Sequence, residues 1–217
     1  MKTNSGKTNT VKDFRKHWNK KYIKTPDEEL GWYETDLTPT LKLILKTCLD
    51  KSSRILIVGA GTTTLIDNLL ESGYKNLIAI DISEVALEKV KNRVGAGKVQ
   101  YIVDDLTKPV KLKSIEPVDL WTDRAVLHFF VEKKDRETYF KLLKNTVRKN
   151  GYALIAQFNL NGEDTCSGLP IYKYDEKILK AKLGKNFKLV SHFNYIYTMP
   201  SGDKRPYIYT LFKKVKN

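Results

Sequence analysis

The residues of this chain best placed to do chemistry are two glycines after an apolar run and an aspartate 20 residues later. The run Ile55–Val58 ends at Gly59, Ala60 and Gly61, and helically spaced apolar residues follow, which indicates a buried strand that turns sharply into a helix. Glycine permits so tight a turn and lets the backbone approach a ligand closely. A second apolar run ends at Asp81, whose carboxylate could accept hydrogen bonds from both hydroxyls of a ribose. The spacing therefore predicts a nucleoside site.

The turn lacks the third glycine that a dinucleotide-binding turn normally carries. Thr64 stands three residues after Gly61, where that glycine would come. The hydroxyls of Thr62, Thr63 and Thr64 can instead cap the start of the next helix. They leave less room for a pyrophosphate, so the pattern argues against a nicotinamide cofactor.

Length and composition bound the class of protein. The chain has 217 residues, 41% of them hydrophobic, which suits one globular domain with a sizeable core. It has no apolar run of membrane-spanning length and no apolar signal-peptide core near residue 1, and its two cysteines lack metal-ligand spacing. We therefore expect a cytoplasmic protein with no membrane partner, no structural disulfide and no metal ion.

The net charge of +14 is concentrated at the two ends of the chain. Residues 1–24 hold eight lysines and arginines against one acid, and residues 170–217 hold eleven against three. These ends could form an electrostatic collar for an anionic substrate or a nucleic acid. Only seven of the 39 basic residues are arginine, the residue suited to bidentate phosphate contacts, which favours a solvated lysine-rich surface instead.

Strand and helix signals alternate along the chain and predict its architecture. Residues 1–12 are polar and lysine-rich, and we expect them to be disordered. We expect strands near 54–58, 77–81, 99–103, 118–122 and 152–158, and helices near 62–72, 83–94, 125–130, 135–149 (ending at Asn150-Gly151) and 175–183. Such alternation gives a parallel sheet with helices on both faces. The last two β-rich runs, 187–197 and 207–213, predict a C-terminal antiparallel hairpin.

Longer motifs add a family resemblance. Five parallel strands, a terminal hairpin, a Gly-x-Gly turn and an acid ending the second strand resemble the class I S-adenosylmethionine-dependent methyltransferases. A group of small bacterial-type members is similar in its motifs, which here read Trp18-Asn-Lys-Lys-Tyr22, Trp32-Tyr33, Thr122-Asp-Arg-Ala-Val-Leu-His-Phe129 and Cys166-Ser-Gly-Leu169. The lead-in also looks like that of protein-lysine methyltransferases acting on citrate synthase or elongation factors.

The resemblance runs from about residue 14 to the end of the chain, and it implies both a fold and a cofactor. The fold would be α/β and Rossmann-like, with a seven-stranded, mostly parallel sheet. Residues 13–217 would form a single methyltransferase domain, with 13–50 as a helical lead-in or lid and 51–217 as the core. The cofactor would be S-adenosyl-L-methionine.

Two positions depart from the family pattern. Ile57 stands where these enzymes usually carry an acid that helps to hold the methionine amino group. Thr122 replaces the histidine that is usual in the group. The contact to the methionine amino group must therefore come from elsewhere or be lost.

Cofactor contacts are carried over by resemblance, each beside a plainer alternative. Gly59, Ala60 and Gly61 would lie against the methionine and ribose, and Asp81 would bind the ribose hydroxyls. The adenine would meet residues that follow the second and third strands, namely Ile82, Asp104, Asp105 and Leu106. Asp105 is favoured as acceptor from the adenine amino group, although it could be a turn residue and Ile82 could be plain core. The aromatic residues of the lead-in would cover the cofactor or only anchor a helix to the core, and they are Trp18, Tyr22, Trp32 and Tyr33.

The end of the fourth strand supplies the candidates for catalysis. Asp123 and Arg124 come where the crevice of such a sheet opens, although an adjacent acid and base could also simply pair with each other or with neighbours. His128 lies in apolar company, as packed core residues do, yet it is tunable near neutral pH. We therefore take Asp123, which is also a candidate cofactor contact, and His128 as candidate bases. The candidate substrate contacts are Tyr33, Arg124, His128 and Cys166, of which the cysteine has no adjacent base and is expected to shape a loop rather than act as a nucleophile.

The predicted function is methyl transfer from S-adenosylmethionine to a small molecule that offers a thiol, carboxylate or amine. Such a displacement needs alignment and exclusion of water, and a base only if the acceptor arrives protonated. Protein-lysine methylation is the alternative, and a nucleoside-binding module without catalysis is the alternative of another class. The Asn/Asp-Pro-Pro-Tyr/Phe segment of enzymes that methylate nucleic-acid bases is absent after the fourth strand, which argues against a nucleic-acid substrate.

Overall fold

The structure is a computed structural model that describes residues 13–216, so the predicted disordered tail, residues 1–12, lies outside the described residues. The helices are α1 (Phe14–Lys24), α2 (Thr38–Leu45), α3 (Leu65–Glu71), α4 (Glu84–Val94), α5 (Lys133–Thr146) and α6 (Glu176–Leu183). The strands are β1 (Arg54–Val58), β2 (Asn76–Asp81), β3 (Val99–Val103), β4 (Val118–Arg124), β5 (Val147–Phe158), β6 (Thr165–Cys166), β7 (Leu169–Pro170), β8 (Phe187–Thr198) and β9 (Lys204–Lys214).

A seven-stranded sheet in the order β3-β2-β1-β4-β5-β9-β8 forms the centre of the protein. The strands from β3 to β5 pair in parallel. The C-terminal hairpin β8–β9 then joins β5 in antiparallel fashion, while β6 and β7 form a separate ribbon. The predicted fold class, a Rossmann-like α/β sheet that is mostly parallel and ends in an antiparallel hairpin, is confirmed.

Strand β1 shows why the sheet carries helices on both faces. Its side chains alternate between two hydrophobic clusters, as the period of two in a strand requires. Leu56 and Val58 join the cluster that contains buried residues of α5 and α6. Ile55 and Ile57 join the opposite cluster, which contains buried residues of α2, α3 and α4. A continuous apolar run is what a strand buried on both faces needs.

One predicted helix end is wrong. Helix α5 ends at Thr146, and Asn150-Gly151 lies inside β5 rather than stopping a helix. Asn150 has a φ of 64°, and the pairing of β4 with β5 shifts register at this point. The Asn-Gly pair therefore bends the start of a strand, where its tolerance of left-handed backbone serves an irregularity in the ladder.

The N-terminal residues are fastened to the rim of the sheet. In α1, Asn19 donates from Nδ2 to Glu84 at 2.8 Å and accepts from the Ser83 hydroxyl at 2.7 Å. Ser83 also caps α4 by accepting from the backbone N–H of Ala86 at 3.1 Å. Helix α1 is thus held directly beside the end of β2. None of the helices within residues 13–216 combines the length and apolar character that a membrane crossing requires.

Candidate active site

A cavity of about 410 Å³ brings most of the predicted site residues together. It lies where the carboxyl ends of β1, β2, β3 and β4 meet, beside the switch in strand order at β1, which is where open α/β sheets bind ligands. Its volume is within the range of small-molecule sites. The predicted residues that line it are Trp18, Tyr22, Trp32, Gly59, Asp81, Ile82, Asp104, Asp105, Leu106, Arg124 and Cys166. The predicted residues outside its lining are Tyr33, Ala60, Gly61, Asp123 and His128.

The glycine turn and Asp81 form one hydrogen-bonded unit. Gly59 and Gly61 have φ values of 57° and 51°, in the left-handed region that glycine adopts without strain. The backbone N–H of Gly61 donates to Asp81 Oδ2 at 2.8 Å, and that of Ser83 donates to Oδ1 at 2.8 Å. A carboxylate has about four acceptor positions, so Asp81 can accept a further hydrogen bond from a ligand. Burial raises the pKa of Asp81 to about 6, against the hydrogen bonds that favour its ionised form.

The two aspartates after β3 are distinguished by their partners. Both oxygens of Asp104 accept backbone N–H groups, including that of Leu112 at 2.8 Å, so this side chain holds the loop. Asp105 accepts from the N–H and hydroxyl of Thr107 through Oδ1 alone. Its Oδ2 has no protein donor within residues 13–216. The arrangement supports Asp105 rather than Asp104 as a ligand acceptor, while the turn role considered for Asp105 is also present.

Asp123 and His128 belong to a buried network behind the cavity wall. Tyr139 donates to Asp123 at 2.6 Å, and Gln157 donates to it from Nε2 at 2.8 Å. The Oε1 of Gln157 lies 2.9 Å from His128 Nδ1. An amide oxygen only accepts, so Nδ1 carries the proton in this pair and Nε2 is the bare nitrogen. Burial lowers the pKa of His128 to about 3 and raises that of Asp123 to about 6.

The position of Asp123 and His128 behind the cavity wall is relevant to their predicted role as bases. Neither side chain lines the cavity, and the low pKa of His128 makes its imidazole a weak proton acceptor. The contacts support a positioning role, since the network fixes the turn that follows β4 through Asp123 and the backbone N–H of Val126, 3.1 Å apart. That either residue acts as a base stays a prediction.

We expect Asp123→Asn to lower the free energy of unfolding by about 3 kcal/mol. The carboxylate of Asp123 accepts from Tyr139, Gln157 and the Val126 N–H, and the NH₂ group of an asparagine would leave at least one of these donors unpaired. Denaturant unfolding of the variant measures this. A positioning role predicts that this loss of stability accompanies any loss of turnover. If turnover falls while the free energy of unfolding is unchanged, the role of Asp123 is in the chemistry instead.

Aromatic residues of the lead-in roof the cavity. Trp18 makes edge contacts with Trp32 and Phe129, with ring centroids 5.3 and 5.0 Å apart, and Tyr22 contacts Trp32 at 5.8 Å. The Tyr22 hydroxyl lies over the glycine turn, where a Cβ added at Gly61 would be 2.5 Å from it. Two roles were considered for these aromatics, lid and anchor, and the geometry is consistent with both. The rings pack together on the core, and three of them line the cavity.

Arg124 ties the lead-in to the end of β4. Its Nε lies 2.7 Å from Glu34 Oε1, and its Nη1 donates to the backbone carbonyl of Trp32 at 3.0 Å. Its guanidinium also stacks over Tyr197 and Tyr207, 4.6 and 5.1 Å from their ring centroids. Of the two pairings considered from sequence, with each other or with neighbouring residues, Arg124 does not pair with Asp123 but does pair with a neighbour in space. Arg124 instead pairs with an acid of the lead-in that is 90 positions away in the chain.

Some residues of the site were not predicted from the sequence. Glu34 directly follows the Trp32-Tyr33 motif, and its position beside two matched aromatics was a usable signal. Gln157 stands near the end of a strand, where a polar side chain points to a site. Arg205 and Tyr207 come from β9 and reach the cavity only through the antiparallel hairpin. No local pattern in the sequence marks Arg205 or Tyr207.

Within residues 13–216, no group of three or more His, Cys, Asp or Glu side chains is placed to hold a metal ion.

Comparison with known proteins agrees with this fold. Residues 56–155 match a family described as a methyltransferase domain. The eEF1A lysine and N-terminal methyltransferase of Mus musculus is 28% identical over 94 residues, which are 42% of this chain and 13% of that protein. The match thus spans only about an eighth of the relative's length.

Solved structures resemble the whole chain. A SAM-dependent methyltransferase from Anabaena variabilis has a TM-score of 0.74 and 14% identity, with 93% of each chain covered. The N-methyltransferase NodS of Bradyrhizobium japonicum, solved with S-adenosyl-L-homocysteine, has a TM-score of 0.65 and 13% identity, with 92% of this chain and 100% of that one covered.

Residues 56–155 thus match a methyltransferase domain, and the fold is that of solved S-adenosylmethionine-dependent methyltransferases. The cofactor that this fold and domain imply is S-adenosyl-L-methionine. The finer resemblance to the small bacterial-type group stays a prediction.

The residues present fit that cofactor at its nucleoside end. Asp81 offers a carboxylate in the cavity wall to ribose hydroxyls, and Ile82 and Leu106 line the same cavity as an apolar surface for a base. At the methionine end, Ile57 is buried in the sheet and offers no carboxylate. The amino group must therefore find other partners.

The raised pKa of Asp81 predicts pH-dependent affinity for S-adenosylhomocysteine. Protonation below about pH 6 replaces an acceptor with a donor at the ribose hydroxyls. The dissociation constant should be constant above about pH 7 and about tenfold larger at pH 5. Calorimetry across this range tests it, and Asp81→Asn should show no such dependence. An affinity that stays flat in the wild type down to pH 5 would contradict ribose binding by this carboxylate.

Proposed function

We propose that this protein transfers the methyl group of S-adenosylmethionine to a small molecule that carries a thiol, carboxylate or amine. The observation that carries the proposal is a single roofed cavity that extends from Asp81 to Cys166 and Tyr207. A nucleoside bound at Asp81 leaves the opposite end of the same cavity for an acceptor. The space beneath the aromatic roof suits a compact acceptor better than a folded protein surface.

The chain's own residues would act mainly by alignment and exclusion of water. When bound, S-adenosylmethionine supplies a methyl group on an already activated sulfonium. Asp81 and the glycine turn would fix the nucleoside, and Asp105 would orient the adenine. Trp18, Tyr22 and Trp32 would keep water from the reacting atoms. The buried network around Asp123 would hold the turn after β4 in place beneath them.

Protein-lysine methylation is the second candidate. The similarity to the eEF1A lysine and N-terminal methyltransferase of Mus musculus favours it. A lysine side chain is narrow enough to enter the cavity even though aromatic residues cover most of it. The lead-in motif, which is similar to that of protein-lysine methyltransferases, is consistent with it as well.

Transfer of labelled methyl groups into a cell lysate separates the candidates. The lysate is incubated with the protein and labelled S-adenosylmethionine and then divided by size. We expect label in the small-molecule fraction, and none above background with Asp81→Asn. Label that remains with protein after denaturation would favour lysine methylation. Binding of S-adenosylhomocysteine with no transfer into either fraction would favour a nucleoside-binding module without catalysis.

A further inference from the structure

Positive side chains gather at the Cys166 end of the cavity. Lys21 from α1, Arg124 from β4 and Arg205 from β9 all line it together with Cys166. Burial raises the pKa of the Cys166 thiol, while a hydrogen bond with Ser167 and the charges of Arg205, Arg124 and Lys21 oppose that rise. Three elements that are distant in sequence thus bring three cations close to one side chain.

The protein neutralises this cluster only in part. Arg124 uses Nε and Nη1 on Glu34 and the Trp32 carbonyl. Its Nη2 is buried and has no hydrogen-bond partner within the described part of the chain. Arg205 reaches Glu163 only at 4.0 Å, and the side chain of Glu163 is 65% exposed. This incomplete compensation of charge favours a negatively charged ligand group beside Arg205.

The acidic residues of the cavity lie mostly elsewhere. Asp81, Asp104 and Asp105 follow β2 and β3, at the nucleoside end. Glu29, in the short turn after α1, is the other acidic residue that lines the cavity. One end of the cavity therefore presents hydrogen-bond acceptors, and the other presents donors with net positive charge.

We propose that the acceptor carries an anionic group, a carboxylate or a phosphate, which Arg205 and Lys21 bind, with the positive charge of Arg124 beside them. The planar guanidinium suits such oxygens and gives the acceptor one orientation under the roof. An incoming lysine ammonium would instead meet like charges. This inference rests on the proposed methyl transfer and names the class of acceptor, so it separates the two candidate acceptors by charge.

The test uses small molecules extracted from cells and divided by anion exchange into retained and unretained fractions. Each fraction is offered to the full-length protein with labelled S-adenosylmethionine. We expect the retained fraction to support transfer. Arg205→Gln should lower the rate at limiting acceptor about tenfold or more. Lys204 precedes Arg205, is exposed and lies outside the cavity. Lys204→Gln is therefore the matched control and should behave as the wild type.

Calorimetry with S-adenosylhomocysteine on the same variants distinguishes the acceptor's anionic group from the carboxylate of the cofactor. We expect Arg205→Gln to bind it within about twofold of the wild type. If the variant loses this affinity in parallel with its rate, the cluster serves the cofactor and the inference is overturned. Transfer supported by the unretained fraction alone, or by neither fraction, overturns it too. Failure of the wild type to bind S-adenosylhomocysteine would instead overturn the proposed methyl transfer itself.

Discussion

Asp81→Asn is expected to weaken binding of S-adenosylhomocysteine about 100-fold. The substitution removes the negative charge and places an amide NH₂ against the backbone N–H of Gly61 or Ser83, which now donate to the two carboxylate oxygens at 2.8 Å. Hydrogen bonds to a charged group contribute about 1.5–3 kcal/mol, so loss of the ribose contacts gives a change of this size. Calorimetry measures the dissociation constant, and circular dichroism confirms that the variant is folded.

Asp164→Asn is the matched control for Asp81→Asn. Asp164 is an exposed aspartate outside the cavity, and it forms an ion pair with Lys173 at the surface. Its loss should leave the affinity for S-adenosylhomocysteine unchanged. An affinity of folded Asp81→Asn within about twofold of the control would show that Asp81 does not bind the nucleoside.

Gly59→Ala should impair both folding and cofactor binding. Gly59 has a φ of 57°, which costs an alanine about 1–2 kcal/mol. The added Cβ would also overlap the Cγ2 methyl of Val126, which lies in the turn after β4. A β-branched side chain cannot easily move away, and such overpacking costs about 1–3 kcal/mol more. We expect the free energy of unfolding to fall by about 3 kcal/mol.

Gly202→Ala separates backbone strain from the clash. Gly202 also has a positive φ, of 87°, but a Cβ there meets nothing within 4 Å. This variant should lose about 1 kcal/mol of stability and retain its affinity for S-adenosylhomocysteine. Equal losses of stability in the two variants would mean that the contact between the glycine turn and Val126 does not constrain the site.

Much of the fold was readable from the sequence because its signals are local. An apolar run of strand length between helical patterns marks each buried parallel strand, and β1, at Arg54–Val58, has the predicted bounds. The sequence also predicted that the glycine turn and Asp81 lie at the same edge of the sheet, because neighbouring parallel strands end there. The hydrogen bond between Gly61 and Asp81 was not predicted. The helix end predicted at Asn150-Gly151 was wrong because the same residue types suit both a helix end and an irregularity in a strand.

The site was only partly readable, because side-chain direction after a strand depends on the turn that follows. Ala125 has a φ of 68°, which redirects the chain directly after β4. Asp123 then points into the network with Tyr139 and Gln157, and His128 joins it from the other side. No residue type in the sequence reveals that left-handed alanine. The contact of Arg124 with Glu34 was hidden for another reason, since 90 positions of chain separate the two.

The most direct test of the account is calorimetric titration of the wild-type protein with S-adenosylmethionine and, separately, with S-adenosylhomocysteine. The fit of the Asp81 end of the cavity to a nucleoside predicts one site per chain with a micromolar dissociation constant for both. Absence of binding heat at millimolar ligand, from a protein shown to be folded and at more than one temperature, would contradict the assignment of this cavity to the methyl donor.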